Sequence, residues 1–143
     1  MKIACTFFGH AEAPSSLQNT ILEAARRLIE EKGVLLFYVG THGSFDCMAY
    51  MAIMELRKIY PDIECYRVLS RIPTQRNGYS DPKDTLVPDG LENVHGRYSV
   101  VHRNRWMIDK SDFVITYVTH SWGGAATFKK IAEGKGKTVI NLI

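Results

Sequence analysis

The sequence predicts an α/β fold: a single doubly wound Rossmann-like domain over residues 1–143, with a five-stranded parallel sheet in the order 3-2-1-4-5 and helices on both faces. Three observations predict it. Short continuous apolar runs, as strands buried on both faces require, alternate with stretches of helical periodicity. Glycines stand just after the first, second and fourth runs, and 143 residues suffice for one core.

Residues 3–8 (IACTFF) form the first run. After the turn GHAEAP, Ser15 or Ser16 is placed to cap a helix whose apolar stripe is Leu17, Ile21, Ala24 or Ala25, and Leu28 or Ile29, with Gly33 as its stop. The second run, residues 34–39, leads through GTHGSFD into a helix with the inward stripe Ala49, Ala52 or Ile53, Leu56 and Ile59 or Tyr60, ended before Pro61. The third strand, residues 63–69, carries Glu64 and Arg67 between apolar positions, which suits the outermost place in the sheet. Residues 70–95 show no periodicity and are punctuated by Pro73, Gly78, Pro82, Pro88 and Gly90, so they read as one long loop, a feature usually kept for function. A third helix over residues 96–110, a strand over 113–118, the turn THSWGGA, a fourth helix through Phe128 and Ile131, and a strand over 138–143 complete the pattern.

Composition narrows the function classes. The chain is 45% hydrophobic and 23% charged, which is globular, and 18 Lys and Arg against 15 Asp and Glu leave a formal charge of +3, too small to point to nucleic acid or membrane. The basic stretches RIPTQR and HRNR are explained equally by solvated faces, so nucleic acid is not the expected partner. Three scattered cysteines without a CxxC pair fit reduced thiols and a cytoplasmic location. The run at residues 3–8 is too short for a secretory segment, and no window is long enough for a membrane span.

In an open sheet of this order, ligands bind beyond the carboxyl ends of the strands where the chain reverses between the first and fourth. Gly9 and His10 fall there, as do Gly40, Gly43 and Asp46, and His120, Ser121, Trp122, Gly123, Gly124 and Thr127. SWGGAAT places two glycines at a helix start, where free N–H groups and the helix dipole favour phosphate; the alternative is a tight turn and nothing more. Trp122 either stacks on a base or covers the sheet edge, and Asp46 either serves a ribose or acid–base role or offsets the dipole of its helix. Arg103 and Asn104 share a helix face with Val100 and Met107, so Arg103 either reaches a phosphate or pairs with Asp84 or Asp109. A second helical phase would turn Val101, Arg105 and Ile108 inward instead. His10, His42 and His120 all follow strands, yet no HxH or HExxH spacing supports a metal, and none is expected. GxSxG, GxxxxGK[ST] and an intact GxGxxG after the first strand are absent, which removes the ordinary serine hydrolase, P-loop and dinucleotide dehydrogenase readings; no cofactor is expected.

GTHGSFDCMA, RNRWMIDKSDFVITYV and SWGGAAT, in this order, resemble the SLOG superfamily of Rossmann-like proteins, which includes the Lonely Guy phosphoribohydrolases, DNA-processing protein A and a small YpsA-like branch. The YpsA-like branch is the nearest in appearance. The resemblance implies a nucleotide-derived ligand, phosphate on Gly123, Gly124 and Thr127, and Arg103 beside it, and it is compatible with a homodimer. It also carries differences. Trp122 stands where the phosphoribohydrolases have proline, Ala126 for a third glycine, Asn104 for a lysine, and Lys130 for the glutamate that joins the helix arginine in catalysis. Without that acid, N-glycosidic cleavage loses the group that stabilises a cationic centre or handles a proton, which leaves Arg103 and Asp46 as the candidate catalytic residues. The expected function is therefore binding of a nucleotide or nucleotide-derived signal resembling ADP-ribose, as a stand-alone sensor or sequestering protein. Nucleoside monophosphate N-glycosidase and single-stranded nucleic-acid binding are the alternatives.

Overall fold

The structure, a computed structural model, describes residues 1–73 and 84–143. Its elements in chain order are β1 (Ile3–Gly9), α1 (Leu17–Lys32), β2 (Val34–Val39), α2 (Gly43–Ile59), β3 (Glu64–Val68), β4 (Thr85–Leu86), α3 (Ser99–Asp109), β5 (Phe113–Tyr117), α4 (Gly124–Gly134) and β6 (Thr138–Asn141). All strand pairs are parallel, in the order β4-β3-β2-β1-β5-β6.

Side-chain alternation along the strands builds two cores. Cys5 and Phe7 of β1, Phe37 and Val39 of β2 and Cys65 of β3 point to the face covered by α1 and α2. Ala4 and Phe8, Tyr38 and Val68 point to the other face, against Met107 and Ile108 of α3 and Phe128 and Ala132 of α4. Phe7 stacks on Phe37 with ring centroids 6.1 Å apart, and Phe8 on Phe128 at 5.5 Å, so an aromatic pair anchors each layer beside the central strand.

The sheet departs from expectation in number and order: it has six strands, not five, and the order 3-2-1-4-5 does not describe it. The added strand is Thr85–Leu86, which pairs with Arg67 and Val68 and makes β4, not β3, the outermost strand. Two residues of extended chain carry no readable period, which is why the sequence shows only a loop there. The same segment contains 3-10 turns at Leu91–Asn93 and Gly96–Tyr98, and buries Leu91, so the reading of residues 70–95 as structureless is also corrected. Residues 74–83 of that loop lie outside the described residues. The first turn of the expected third helix is one of these 3-10 turns, and α3 starts at Ser99.

Two cap expectations divide. Gly33 ends α1 in the left-handed region with φ 70°, its N–H returned to the Leu28 carbonyl, as a glycine stop should. Ser16 holds the N-cap position but lies in helical conformation, and its hydroxyl caps nothing. Surface pairs Arg26 with Glu23 and Glu30, and Arg27 with Glu31, run along the exposed side of the helix.

Candidate functional site

Gly9 of β1 pairs with Tyr117 of β5, and the chain reverses direction in the sheet on either side of this pair. The amino ends of α2 and α4 both approach this edge. Gly9 has a packing reason to be glycine, since a Cβ there would stand 2.3 Å from the Phe45 ring at the start of α2. It lets the first turn of α2 close onto β1.

Asp46 and Arg103 form the floor. Asp46, in the first turn of α2, reaches back so that the His42 N–H donates to its Oδ2 at 3.0 Å. Gly40 leaves the room: a Cβ there would lie 2.6 Å from Asp46 Oδ2 and 3.4 Å from Arg103 Cζ. Burial pushes the Asp46 carboxyl up to about 6, against the opposing pull of the His42 N–H and the Arg103 charge. A carboxyl in that range exchanges a proton near neutrality. Arg103 is 2% exposed. Its guanidinium donates to Asn104 Oδ1 at 2.7 Å, Val68 O at 2.9 Å and Thr41 Oγ1 at 3.1 Å, and lies 3.2 Å from His42 Nδ1. Burial and the Arg103 and Arg71 charges lower the pKa of His42, which suits an imidazole facing a guanidinium.

The helical phase that turns Arg103, Asn104 and Met107 inward is the observed one, although Val100 is exposed and Ile108 is buried with the inward set. The expected alternative partners of Arg103 are engaged elsewhere: Asp109 pairs with Lys135, and Asp84 lies 3.4 Å from the Tyr50 hydroxyl and 4.0 Å from Arg57.

At α4, Gly123 sits at the N-cap with φ 94°, a conformation that a side chain would strain. The first helical bond runs from Thr127 N–H to Gly123 O, so the N–H groups of Gly124, Ala125 and Ala126 precede it and have no partner within the helix. Gly124 and Ala125 line a cavity of about 140 Å³ together with Gly9, His42, Asp46, Arg103 and Asn104. The Thr127 hydroxyl donates back to Gly123 O at 3.1 Å and is exposed, so its role in the fold is to close the turn. Ser121 is exposed at the rim.

Beside the loop three rings stack. His120 lies between His10, 3.6 Å away and 14° from parallel, and Trp122, 3.7 Å away and 18° from parallel. His10 is buried and its Nε2 accepts the Thr119 N–H at 3.0 Å, while Trp122 at 68% exposure leaves its outer face to solvent. Glu12 faces His120 at 3.2 Å, and that hydrogen bond holds its carboxyl below the usual range. His10, Glu12 and His120 bring atoms of metal-ligand type within 4.8 Å of one another, a grouping that spacing along the sequence did not suggest. Parallel imidazoles 3.6 Å apart cannot both direct a nitrogen lone pair in plane at one ion, so as they stand these rings form a stack, not a chelate.

No family model and no curated protein matches this chain. Among solved structures it is similar to DNA processing protein A from Streptococcus pneumoniae, with a TM-score of 0.70 and 16% sequence identity, over 98% of this chain and 50% of that one. The likeness shows a shared fold. It supports the Rossmann-like fold, and the chain spans about half the length of that neighbour. A likeness of fold gives no support to the expectation that nucleic acid is not a partner. Among the described residues no helix is long and apolar enough to cross a membrane.

The structure thus brings Gly9, Asp46, Arg103, Asn104 and Gly124 around one cavity, and His10, His120 and Trp122 into one stack. His42 joins Arg103 and not the other two histidines. Gly40 and Gly43 line a neighbouring hollow that shares Asp46 as a wall. Thr41 and Glu12 were missed; both stand one or two residues from a selected residue, but hydroxyls and acids in turns carry no signal of which neighbour they will meet.

Proposed function

We propose that residues 1–143 act as one nucleotide-binding unit, of the YpsA-like kind within the SLOG group, that holds a nucleotide or ADP-ribose-like ligand at the carboxyl edge of the sheet. The observation that carries this reading is the convergence of free N–H groups at the start of α4 with the Asp46 and Arg103 floor around one cavity, next in the chain to the open Trp122 face. Phosphate suits the first, since donors there meet the positive end of the helix dipole. Asp46 is placed for ribose hydroxyls, and a flat base suits the tryptophan. A cavity of about 140 Å³ is smaller than a whole nucleotide needs, so the base lies outside it, at the rim. Such a unit would sense or sequester its ligand.

Single-stranded nucleic acid is the second reading, favoured by the exposed Trp122 platform and by the fold shared with a DNA processing protein. Cleavage of the N-glycosidic bond requires a replacement for the acid missing at Lys130, and Asp46, with its raised pKa, is among the described residues the acid that lines the cavity.

Incubation of the pure protein with nucleoside monophosphates, NAD, ADP-ribose and cyclic ADP-ribose isomers separates these readings. Intact ligand released on denaturation in stoichiometric amount, with no free base, is the expected result. Catalytic release of base would replace binding by glycosidase activity. Indifference to all nucleotides, with steeply salt-dependent oligonucleotide binding, would replace it by the nucleic-acid reading.

A further inference from the structure

We infer that the hollow between β3 and α2 is a second anion subsite, built on Arg67, that takes a phosphate group. This inference stands on a different cavity from the crevice above and does not depend on the ligand held there.

The hollow measures about 240 Å³ and is lined by Gly40, Thr41, Gly43, Cys47, Tyr50 and Arg67, with Asp46 as the wall it shares with the crevice. Arg67 lies on β3, where its backbone is fixed by pairing with Thr85 and by its N–H to Asp84 O at 2.7 Å. Its guanidinium carbon sits over the Tyr50 ring, 4.9 Å from the centroid, so the plane of the fork is held by stacking. Its Nε is buried, and among the described residues no acceptor reaches it. Arg67 as a whole is half-buried, and a buried N–H with nothing to donate to is an uncommon arrangement that is relieved when an acceptor enters. Arg103 shows the contrast, since its more deeply buried guanidinium is satisfied by Asn104, Thr41 and Val68.

The neighbours decide the class of occupant. Asp84 is already turned to Tyr50 and Arg57, and Asp46 faces His42 N–H and the Arg103 charge, so both nearby carboxylates are engaged and the unengaged charge is positive. The start of α2 adds the positive end of a helix dipole on the same side. A compact oxyanion offers the fork two acceptors, and phosphate is the one of matching geometry. The same chemistry comes from free inorganic phosphate or from a second phosphate on the molecule in the crevice.

Cys47 gives a direct readout. It lines this hollow and is exposed, whereas Cys5 and Cys65 are buried and report only on unfolding. The rate of Cys47 modification by N-ethylmaleimide at pH 6.5 is followed by mass spectrometry with and without inorganic phosphate, and in parallel with adenosine 3′,5′-bisphosphate, for the wild type and Arg67→Gln. With a millimolar Kd, about 10 mM phosphate slows the wild-type reaction about tenfold. The expected result is protection in the wild type and none in Arg67→Gln, with Cys5 and Cys65 unmodified in both. Stronger protection by the bisphosphate assigns the phosphate to a ligand that bridges both cavities, and equal protection assigns it to the free ion. Absence of protection by either compound, or protection that persists in Arg67→Gln, overturns the inference. Failure of nucleotide binding in the crevice would leave protection by inorganic phosphate unchanged.

Discussion

The imidazoles of His10 and His120 lie face to face, 3.6 Å apart and 14° from parallel. Two such rings cannot both be charged at that distance without strong repulsion, and His10 is in addition buried. Its pKa accordingly falls below the ordinary 6.5, through loss of water first and the His120 charge second, with Glu12 opposing. The unfolded chain then binds a proton that the folded one refuses. Stability is full above pH 6.5 and declines as the pH falls from 6.5 through the depressed folded value. Urea midpoints measured at pH 7.5, 6.5 and 5.5 should show His10→Gln gaining on the wild type as the pH falls. An equal slope in both proteins would place the titration elsewhere.

Asp46 has the opposite sign. Its carboxyl titrates at about 6 in the fold against an ordinary 3.8, so the fold favours the protonated form. The contribution is fully present below 3.8 and lost as the pH rises to about 6, after which the ionised buried group is a cost. Asp46→Asn is neutral at every pH and keeps an oxygen for the His42 N–H. Relative to wild type it should therefore gain stability between pH 4 and pH 8, by up to about 3 kcal/mol. Nucleotide binding should weaken in the same variant, because an amide does not replace a carboxylate that accepts two ribose hydroxyls. Parallel stability curves for the two proteins would show that Asp46 is solvated.

Gly40 sets the position of that carboxylate. A methyl group at Gly40 would come within 2.6 Å of Asp46 Oδ2, so Gly40→Ala must displace the acid from beneath Arg103. Overpacking of this kind costs about 1–3 kcal/mol. The clash is with one side chain, and Asp46→Ala should relieve it, so the double variant should be more stable than the sum of the single losses predicts. Denaturation of the four proteins of this cycle measures the coupling, and simple additivity would rule out the contact.

The glycine patterns and apolar runs made the main architecture legible, because β1, β2 and β5 are buried on both faces and read as continuous apolar runs. The helical period also marked Arg103, since a charge on the same helix face as Met107 stands out. What escaped was everything decided by contacts between distant segments. Thr85 and Leu86 form a strand only because β3 offers an open edge, and nothing local distinguishes them from loop. The His10, Glu12 and His120 grouping joins residues about a hundred positions apart, so no spacing motif could find it. Gly9 was read as a ligand-contacting glycine; it borders the cavity, and the space its hydrogen leaves is filled by Phe45.

Trp122 tests the site with the least structural interference. One face of its ring rests on His120 and the other is open, with 68% of the residue exposed, so truncation removes little that the fold needs. Trp122→Ala should shift the urea midpoint by no more than a surface substitution does, within about 0.5 kcal/mol. Stacking of one base on an aromatic face contributes about 1–3 kcal/mol, so the affinity for any base-bearing ligand should fall between about fivefold and a hundredfold. Phosphate alone makes no use of the ring, and its binding should be unchanged. Calorimetric titration of both proteins with ADP-ribose, adenosine monophosphate and inorganic phosphate reads all three quantities. A loss shared by phosphate would mean that the tryptophan holds the Gly123–Gly124 turn in shape, and equal affinity of both proteins for ADP-ribose would remove the base from this face of the molecule.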